Sequence, residues 1–344
     1  MKRTAVLICP GRGTYNKGEL GYIARHHSAQ AALIAEFDGY RQRQGQETLT
    51  KLDGAAQFSA GKYSRGDHAS PLIYAASYLD ACAISEEFNV LAVTGNSMGW
   101  YIALAAAGAI NPMAGLKVVN TMGTLMHETL IGGQTLYPLV DENWVIRHSL
   151  RDRLLALIDD IDSRSDHALA VSIHLGGMLV VAGNEAGLSA FEANVEPIEA
   201  GFSMRLANHS AFHTKLQDPI AAQGQLRLDN ALFGTPHIPL VDGRGVVWYP
   251  QANSAAELRD YTLGAQVTQT YDFTAAIQVA AKTFAPDVFI CTGPGTTLGS
   301  AIAQSLLGIG WEGMTTKDAF TARQDRDPVL VSMGRDDQRH LAIG

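Results

Sequence analysis

The chain has 344 residues, of which 47% are hydrophobic and 17% charged, with a formal net charge of −8. That length holds one large domain with an insertion, or two domains, and the balance is that of an ordinary globular protein. An acidic surplus with no basic stripe excludes a nucleic-acid backbone as a natural partner, yet leaves room for CoA or a carrier protein on a local basic patch.

In chain order, residues 4–9 form a continuous apolar run that ends in Pro10-Gly11-Arg12-Gly13-Thr14. This is the pattern of a buried strand feeding a turn whose free N–H groups face a ligand. No Gly-Lys-Ser/Thr follows, so the turn is not a Walker loop. Helical patterns occupy Gly18 to Phe37, and the polar stretch from Gln42 to Gly66 reads as helices with loose connections. Pro71 is expected to open a helix at its first position, running through Leu72, Ala75, Ala76, Leu79 and Ala83.

Val90 to Val93 then reads as a short buried strand, followed by Gly95-Asn96-Ser97-Met98-Gly99 and an Ala-rich helix. Gly-x-Ser-x-Gly between strand and helix is the nucleophile-elbow pattern. Its glycines allow the tight turn, and the serine stands exposed at a helix N-terminus where backbone N–H groups stabilise an oxyanion. Pro112 begins the next helix, Met113 to His127.

Between 134 and 206 the character changes. Leu136 to Val140 reads as a strand, Leu150 to Ile161 as an amphipathic helix, and Leu169 to Ile173 with Met178 to Ala182 as a strand pair across Leu175-Gly176-Gly177. Leu188 to Val195 reads as a helix and Phe202 to Leu206 as a last strand. Strand-helix-strand-strand-helix-strand is the ferredoxin-like order. The expected organisation is a large α/β subdomain from 1–133 and 207–344, with a small ferredoxin-like subdomain from 134–206 inserted in it.

Downstream, Ile238 to Val241 is a strand, 255–284 carries helical segments with Gln266 between them, and Asp287 to Cys291 is a strand. The strand runs into Gly293-Pro294-Gly295-Thr296-Thr297-Leu298-Gly299, whose spacing does not fit a dinucleotide fingerprint. It is read as a turn closing a helix against the sheet. Asp327 to Met333 adds an edge strand. Cys9, Cys82 and Cys291 lie scattered in apolar runs, which predicts buried free thiols in a reducing compartment. Pro10 cuts the N-terminal apolar run too short for a signal-peptide core, and no run of about 18 apolar residues exists to span a membrane. A cytoplasmic location is expected.

A serine nucleophile needs a base. Among eleven histidines, His209 and His213 stand out in Asn208-His209-Ser210-Ala211-Phe212-His213-Thr214, where the chain returns to the large subdomain. Their spacing would suit zinc on a helix, but neither a third ligand nor an HExxH glutamate accompanies them, so no metal is expected.

Taken together, these motifs resemble the malonyl-CoA:acyl-carrier-protein transacylase family, the acyltransferases of fatty-acid and polyketide synthesis. The likeness runs in order from about Thr4 to Leu307. Pro10-Gly11-Arg12-Gly13 is similar to the family's Phe-Pro-Gly-Gln-Gly start, and Gly95-Asn96-Ser97-Met98-Gly99 to its Gly-His-Ser-Leu-Gly elbow. Gly177-Met178-Leu179-Val180-Val181-Ala182-Gly183 is similar to its "PGQVVIAG" strand, and Ser210-Ala211-Phe212-His213 to its Ala-Phe-His motif, while Gly293-Pro294-Gly295 matches a C-terminal Gly-Pro-Gly.

The resemblance implies an α/β-hydrolase-like large subdomain, with Ser97 as nucleophile and His213 as base. It also implies that the main-chain carbonyl of Gln266 orients that base and that the main-chain N–H groups of Met98 and Arg12 form the oxyanion hole. No cofactor would be bound: a CoA thioester and a carrier-protein phosphopantetheine are substrates of a ping-pong cycle. The implied partners are acyl-CoA and an acyl carrier protein.

The departures from the family concern the acyl group. Met122 stands where malonyl-specific members place an arginine, and a methionine cannot pair with a carboxylate, whose unpaired burial costs several kcal/mol. An uncharged acyl group resting against Met122 is therefore expected. Asn96, Arg12 and Ser70 replace a histidine and two glutamines of the pocket, Trp100 stands where a glutamate is usual and is expected to reshape the pocket, and Phe212 is expected at the substrate. Arg12 offers a rival site for a carboxylate. An acyl-carrier hydrolase of the same fold and a non-catalytic docking protein are the competing readings; an ordinary esterase would need Ser…Asp…His order and no ferredoxin-like insert.

Overall fold

The computed structural model describes residues 2–198, 201, 203–252 and 254–343. Its strands are β1 (Arg3–Cys9), β2 (Phe88–Gly95), β3 (Gly133–Pro138), β4 (Leu169–Leu175), β5 (Met178–Gly183), β6 (Met204–Arg205), β7 (Leu240–Val241), β8 (Val247–Trp248), β9 (Tyr271–Asp272), β10 (Val288–Cys291) and β11 (Leu330–Ser332).

The first sheet has the order β11-β10-β1-β2-β7-β8 and is parallel except for β8. Ala5 to Cys9 are buried without interruption, which in a strand means that both faces are covered. That is why the sequence there is a run rather than an alternation. The C-terminal ends of β1 and β2 lie side by side, Cys9 opposite Gly95, and the two turns that leave them, Pro10–Thr14 and Asn96–Met98, meet above the sheet edge.

The second sheet has the order β6-β3-β5-β4-β9. Its first four strands, with helices His148–Asp162 and Glu185–Asn194, make the ferredoxin-like unit that the sequence predicts. Leu150, Leu154, Ile158 and Ile161 form the apolar stripe of the first helix and pack with Leu179, Val181 and Phe191 in a core of their own. The alternate residues of the same strands, Ile173, Leu175, Met178 and Val180, point to the opposite face and line the main cavity.

A fifth strand joins this sheet from outside: Tyr271 and Asp272 pair in parallel with Ile173 and His174. The turn between β4 and β5 docks on the large subdomain as well. Gly176 N–H donates to Thr274 Oγ1 at 2.8 Å and Gly177 N–H to Gln304 Oε1 at 2.8 Å. A Cβ on Gly176 would lie 2.4 Å from the Ala301 carbonyl oxygen, so only glycine allows the approach.

Some expectations are corrected. Pro71 does not start its helix, which runs from Gly66 to Cys82. Packing extends it upstream, because Gly66 lies so close to Gly123 of helix Pro112–Thr129 that a Cβ would come within 2.4 Å of the Gly123 carbonyl oxygen. Pro71 has no N–H to give the Asp67 carbonyl, a local loss that the surrounding contacts offset. Strand β3 sits earlier than read, and Val140 makes only an isolated bridge to Ile146. The last strand of the insert is reduced to Met204–Arg205; the expected start at Phe202 lies outside the described residues. Cys82 is exposed, since it ends its helix, while Cys9 and Cys291 are buried free thiols as expected. Among the described residues no helix is long and apolar enough to cross a membrane.

Candidate active site

Ser97 sits between the end of β2 and helix Gly99–Ala106 with a φ of 55°. The left-handed backbone is enforced by its glycine flanks. A Cβ on Gly95 would lie 2.2 Å from Gly99 backbone atoms, and one on Gly99 would lie 2.2 Å from the Cys9 carbonyl oxygen. The elbow is therefore a tight strand-to-helix turn, with the serine hydroxyl at its tip.

His213, also in the left-handed region at φ 58°, brings Nε2 to 2.7 Å from Ser97 Oγ. Its Nδ1 lies 2.7 Å from the Gln266 carbonyl oxygen. A carbonyl can only accept, so Nδ1 carries the proton and Nε2 is left with a lone pair facing the serine hydroxyl. The carbonyl is itself held in place. Gln266 Nε2 donates to the Ser97 carbonyl at 3.0 Å, and Tyr101 Oη donates to Gln266 Oε1 at 2.9 Å. His213 N–H donates to the Val267 carbonyl at 3.0 Å.

Burial pushes the His213 imidazole down to about 4, opposed by its bond to the Gln266 carbonyl. The ring is thus neutral at pH 7, the protonation state a base requires. Among the described residues, the backbone N–H groups of Met98 and Arg12 have no protein acceptor, and both residues border the cavity that holds Ser97.

That cavity has a volume of about 360 Å³ and lies between the two subdomains. Ser70, Asn96, Met122, Phe212, Arg12 and Gln266 line it. Trp100 does not. It is fully buried behind the elbow, its Nε1 donating to Thr262 Oγ1 at 3.0 Å and its ring edge-on to Tyr261 at 5.3 Å. Three residues past the serine, the helix has already turned that side chain away from the cavity and into the core.

Arg12 spends one guanidinium nitrogen on two backbone carbonyls, those of Ser64 and, at 2.9 Å, Asn208, and lies 5.4 Å from the centre of the Phe212 ring. Burial lowers its pKa to about 10, opposed by Asp67. Its Nε is buried without a partner, as is Nδ1 of His209. Burial, reinforced by Arg12, pushes His209 well below the usual histidine range. His209 is therefore a neutral wall residue; it does not approach the serine as His213 does.

Sequence reasoning missed most of the apolar wall of this cavity. Met98, Met122, Met126, Met178 and Met204, five of the nine methionines in the chain, line this one cavity. Val119, Met122, Gly123 and Met126 form a single helical face, the i, i+3, i+4, i+7 pattern, and period-two alternation in β4 and β5 supplies the rest. Those periodicities were available in the sequence; which face met the serine was not. Among the described residues no group of His, Cys, Asp and Glu is placed to hold a metal.

An α/β-hydrolase-like sheet with a serine elbow, closed by an inserted ferredoxin-like unit, is the two-subdomain architecture of malonyl-CoA:acyl-carrier-protein transacylases. The chain superimposes on the solved transacylase of Xanthomonas oryzae with a TM-score of 0.76 over 99% of this chain and 97% of that one, at 17% identity. In sequence it is 24% identical over 247 residues to the malonyl-CoA:acyl-carrier-protein transacylase of Haemophilus influenzae, covering 70% of this chain and 74% of that protein. It is also 26% identical over 252 residues to a phenolphthiocerol/phthiocerol polyketide synthase chain of Mycobacterium tuberculosis. That match covers 71% of this chain but only 15% of the synthase chain. No family model matches the chain. In motifs, sequence and fold alike, the chain resembles the malonyl-CoA:acyl-carrier-protein transacylase family.

Proposed function

We propose that this protein is an acyltransferase that carries an acyl group from an acyl-CoA, or an acyl carrier, to the phosphopantetheine thiol of an acyl carrier protein. The observation that carries the proposal is the Ser97 Oγ to His213 Nε2 distance of 2.7 Å at the edge of a largely apolar cavity. The transacylase-type relatives support the reaction class.

In the first half-reaction Ser97 Oγ attacks the thioester carbonyl while His213 Nε2 takes its proton. The N–H groups of Met98 and Arg12 hold the oxyanion. Collapse expels the CoA thiolate, which leaves as the thiol with the proton from His213, and an ester to Ser97 remains. In the second half-reaction the carrier thiol gives its proton to His213, attacks the ester and regenerates the serine. The Gln266 carbonyl keeps the imidazole in the required tautomer throughout, in place of a carboxylate.

The acyl group is uncharged. Met122 forms the wall where a carboxylate-binding arginine would stand, and Arg12 has one nitrogen committed to the Ser64 and Asn208 carbonyls. A second reading, a carboxylated acyl group held by Arg12, draws on its unpaired Nε. Intact-protein mass spectrometry after brief exposure to acetyl-, malonyl-, methylmalonyl-, butyryl- and hexanoyl-CoA, with Ser97→Ala as control, separates the readings. An uncharged adduct confined to the wild type supports the proposal. A malonyl adduct alone moves the assignment to Arg12, and free acid without an adduct makes the protein a hydrolase.

A further inference from the structure

We infer that the pair Met122–Gly224 sets the depth of the acyl pocket, and that the pocket takes an unbranched alkyl chain of about six to eight carbons. This rests on the acyl-transfer reading above and extends it to a substrate class and a specificity-determining residue.

Met122 projects from helix Pro112–Thr129 between the cavity and helix Asp218–Arg227. Gly224 lies in the interior of the second helix, where glycine weakens the helix relative to alanine. Its backbone is not in the left-handed region, so its place is accounted for by close approach. A Cβ on Gly224 would fall 2.7 Å from Met122 Sδ and 3.3 Å from Met122 Cε. The glycine is a notch in which the thioether lies back, away from the cavity.

With Met122 seated there, the cavity of about 360 Å³ has room for on the order of a dozen non-hydrogen groups at roughly 30 Å³ each. The reacting thioester carbonyl and the end of the pantetheine arm take several of these, which leaves the stated chain length. Its walls suit an alkyl chain: Met126 and Val119 on one side, Leu136, Ile173 and Val180 on the other. Methionines adapt their shape to what they touch, so the pocket accepts neighbouring chain lengths with graded rates.

The test measures CoA release and Ser97 adduct formation for straight-chain acyl-CoAs from two to twelve carbons, and for malonyl-CoA, in wild type, Gly224→Ala and Met122→Ala. Wild type is expected to acylate fastest at six to eight carbons. Gly224→Ala pushes the thioether into the cavity. The octanoyl-to-butyryl rate ratio then falls about tenfold, since the displaced thioether denies burial to one or two methylenes, each worth about fourfold. Met122→Ala moves the optimum to longer chains. Should Gly224→Ala fail to fold, Met122→Ala and Met122→Leu still report on depth. A profile unmoved by any of these variants overturns the notch. A wild type that takes uncharged groups only up to two carbons overturns the chain length and leaves the acyl-transfer reading intact. A Ser97 loaded by malonyl-CoA alone overturns the uncharged reading itself.

Discussion

The two ends of one cavity are built on opposite plans. At the reacting end the principal polar groups are paired, from Tyr101 through Gln266 to His213 and Ser97, and the positions are set by backbone: two left-handed residues, two obligatory glycines and a main-chain carbonyl. At the other end, where the proposed reading places the acyl group, the walls are methionines and aliphatic side chains drawn from two subdomains. On the proposed reading, backbone would fix the chemistry and side chains would choose the substrate. The first therefore tolerates almost no substitution, while the second can be reshaped.

Breaking the reacting end gives the largest effects. Ser97→Ala is expected to abolish the acyl adduct in mass spectra, and His213→Ala to slow CoA release by on the order of 10³-fold or more, measured by thiol release. Gly95→Ala forces a methyl group onto Gly99 and is expected to lower stability by several kcal/mol in chemical denaturation, with loss of activity.

The protonation of His213 sharpens the contrast further. With its pKa at about 4, the imidazole stays a base as pH falls from 7.5 to 5.5, so the single-turnover acylation rate should change less than about twofold in that range and fall only near pH 4. Stability moves differently. The unfolded histidine takes up a proton near pH 6.5 and the folded one does not, so the contribution is complete above pH 6.5 and is lost as pH drops toward 4. For His213 the loss is about 3 kcal/mol, readable from urea melts across that range. The smallest effect is expected from Tyr101→Phe, which removes one hydrogen bond to the Gln266 side chain. About 1 kcal/mol, or a fivefold slower acylation, is expected with little change at the acyl end.

The same contrast explains what was legible in the chain. The elbow could be read because its physics is local: Gly95, Ser97 and Gly99 carry the turn within five residues. The ferredoxin-like order could be read because strands and helices differ in period. His213 needed the family's Ala-Phe-His pattern to be preferred over His209, since both lie in one polar segment and only the fold brings one ring to the serine. Trp100 was misplaced because a helix rotates a side chain out of the pocket within one residue of a wall position. The methionine wall stayed hidden because its members come from four separated segments, the elbow, helix Pro112–Thr129, β5 and β6, and meet only in the fold. Pro71 and Cys82 show the same limit, as long-range packing and helix ends outweighed a local signal.

Strand β9 has a mechanical consequence. Tyr271 pairs with Ile173 in the small sheet, its ring lies 5.2 Å from that of His213, and its hydroxyl reaches the Gly95 carbonyl at 2.5 Å. One residue is thus a tie-rod from the lid to the base and to the hinge of the nucleophile. The small subdomain cannot swing open as a free flap without pulling on the catalytic alignment. Any displacement of the small sheet at β9 would therefore be felt at both Ser97's turn and the His213 ring.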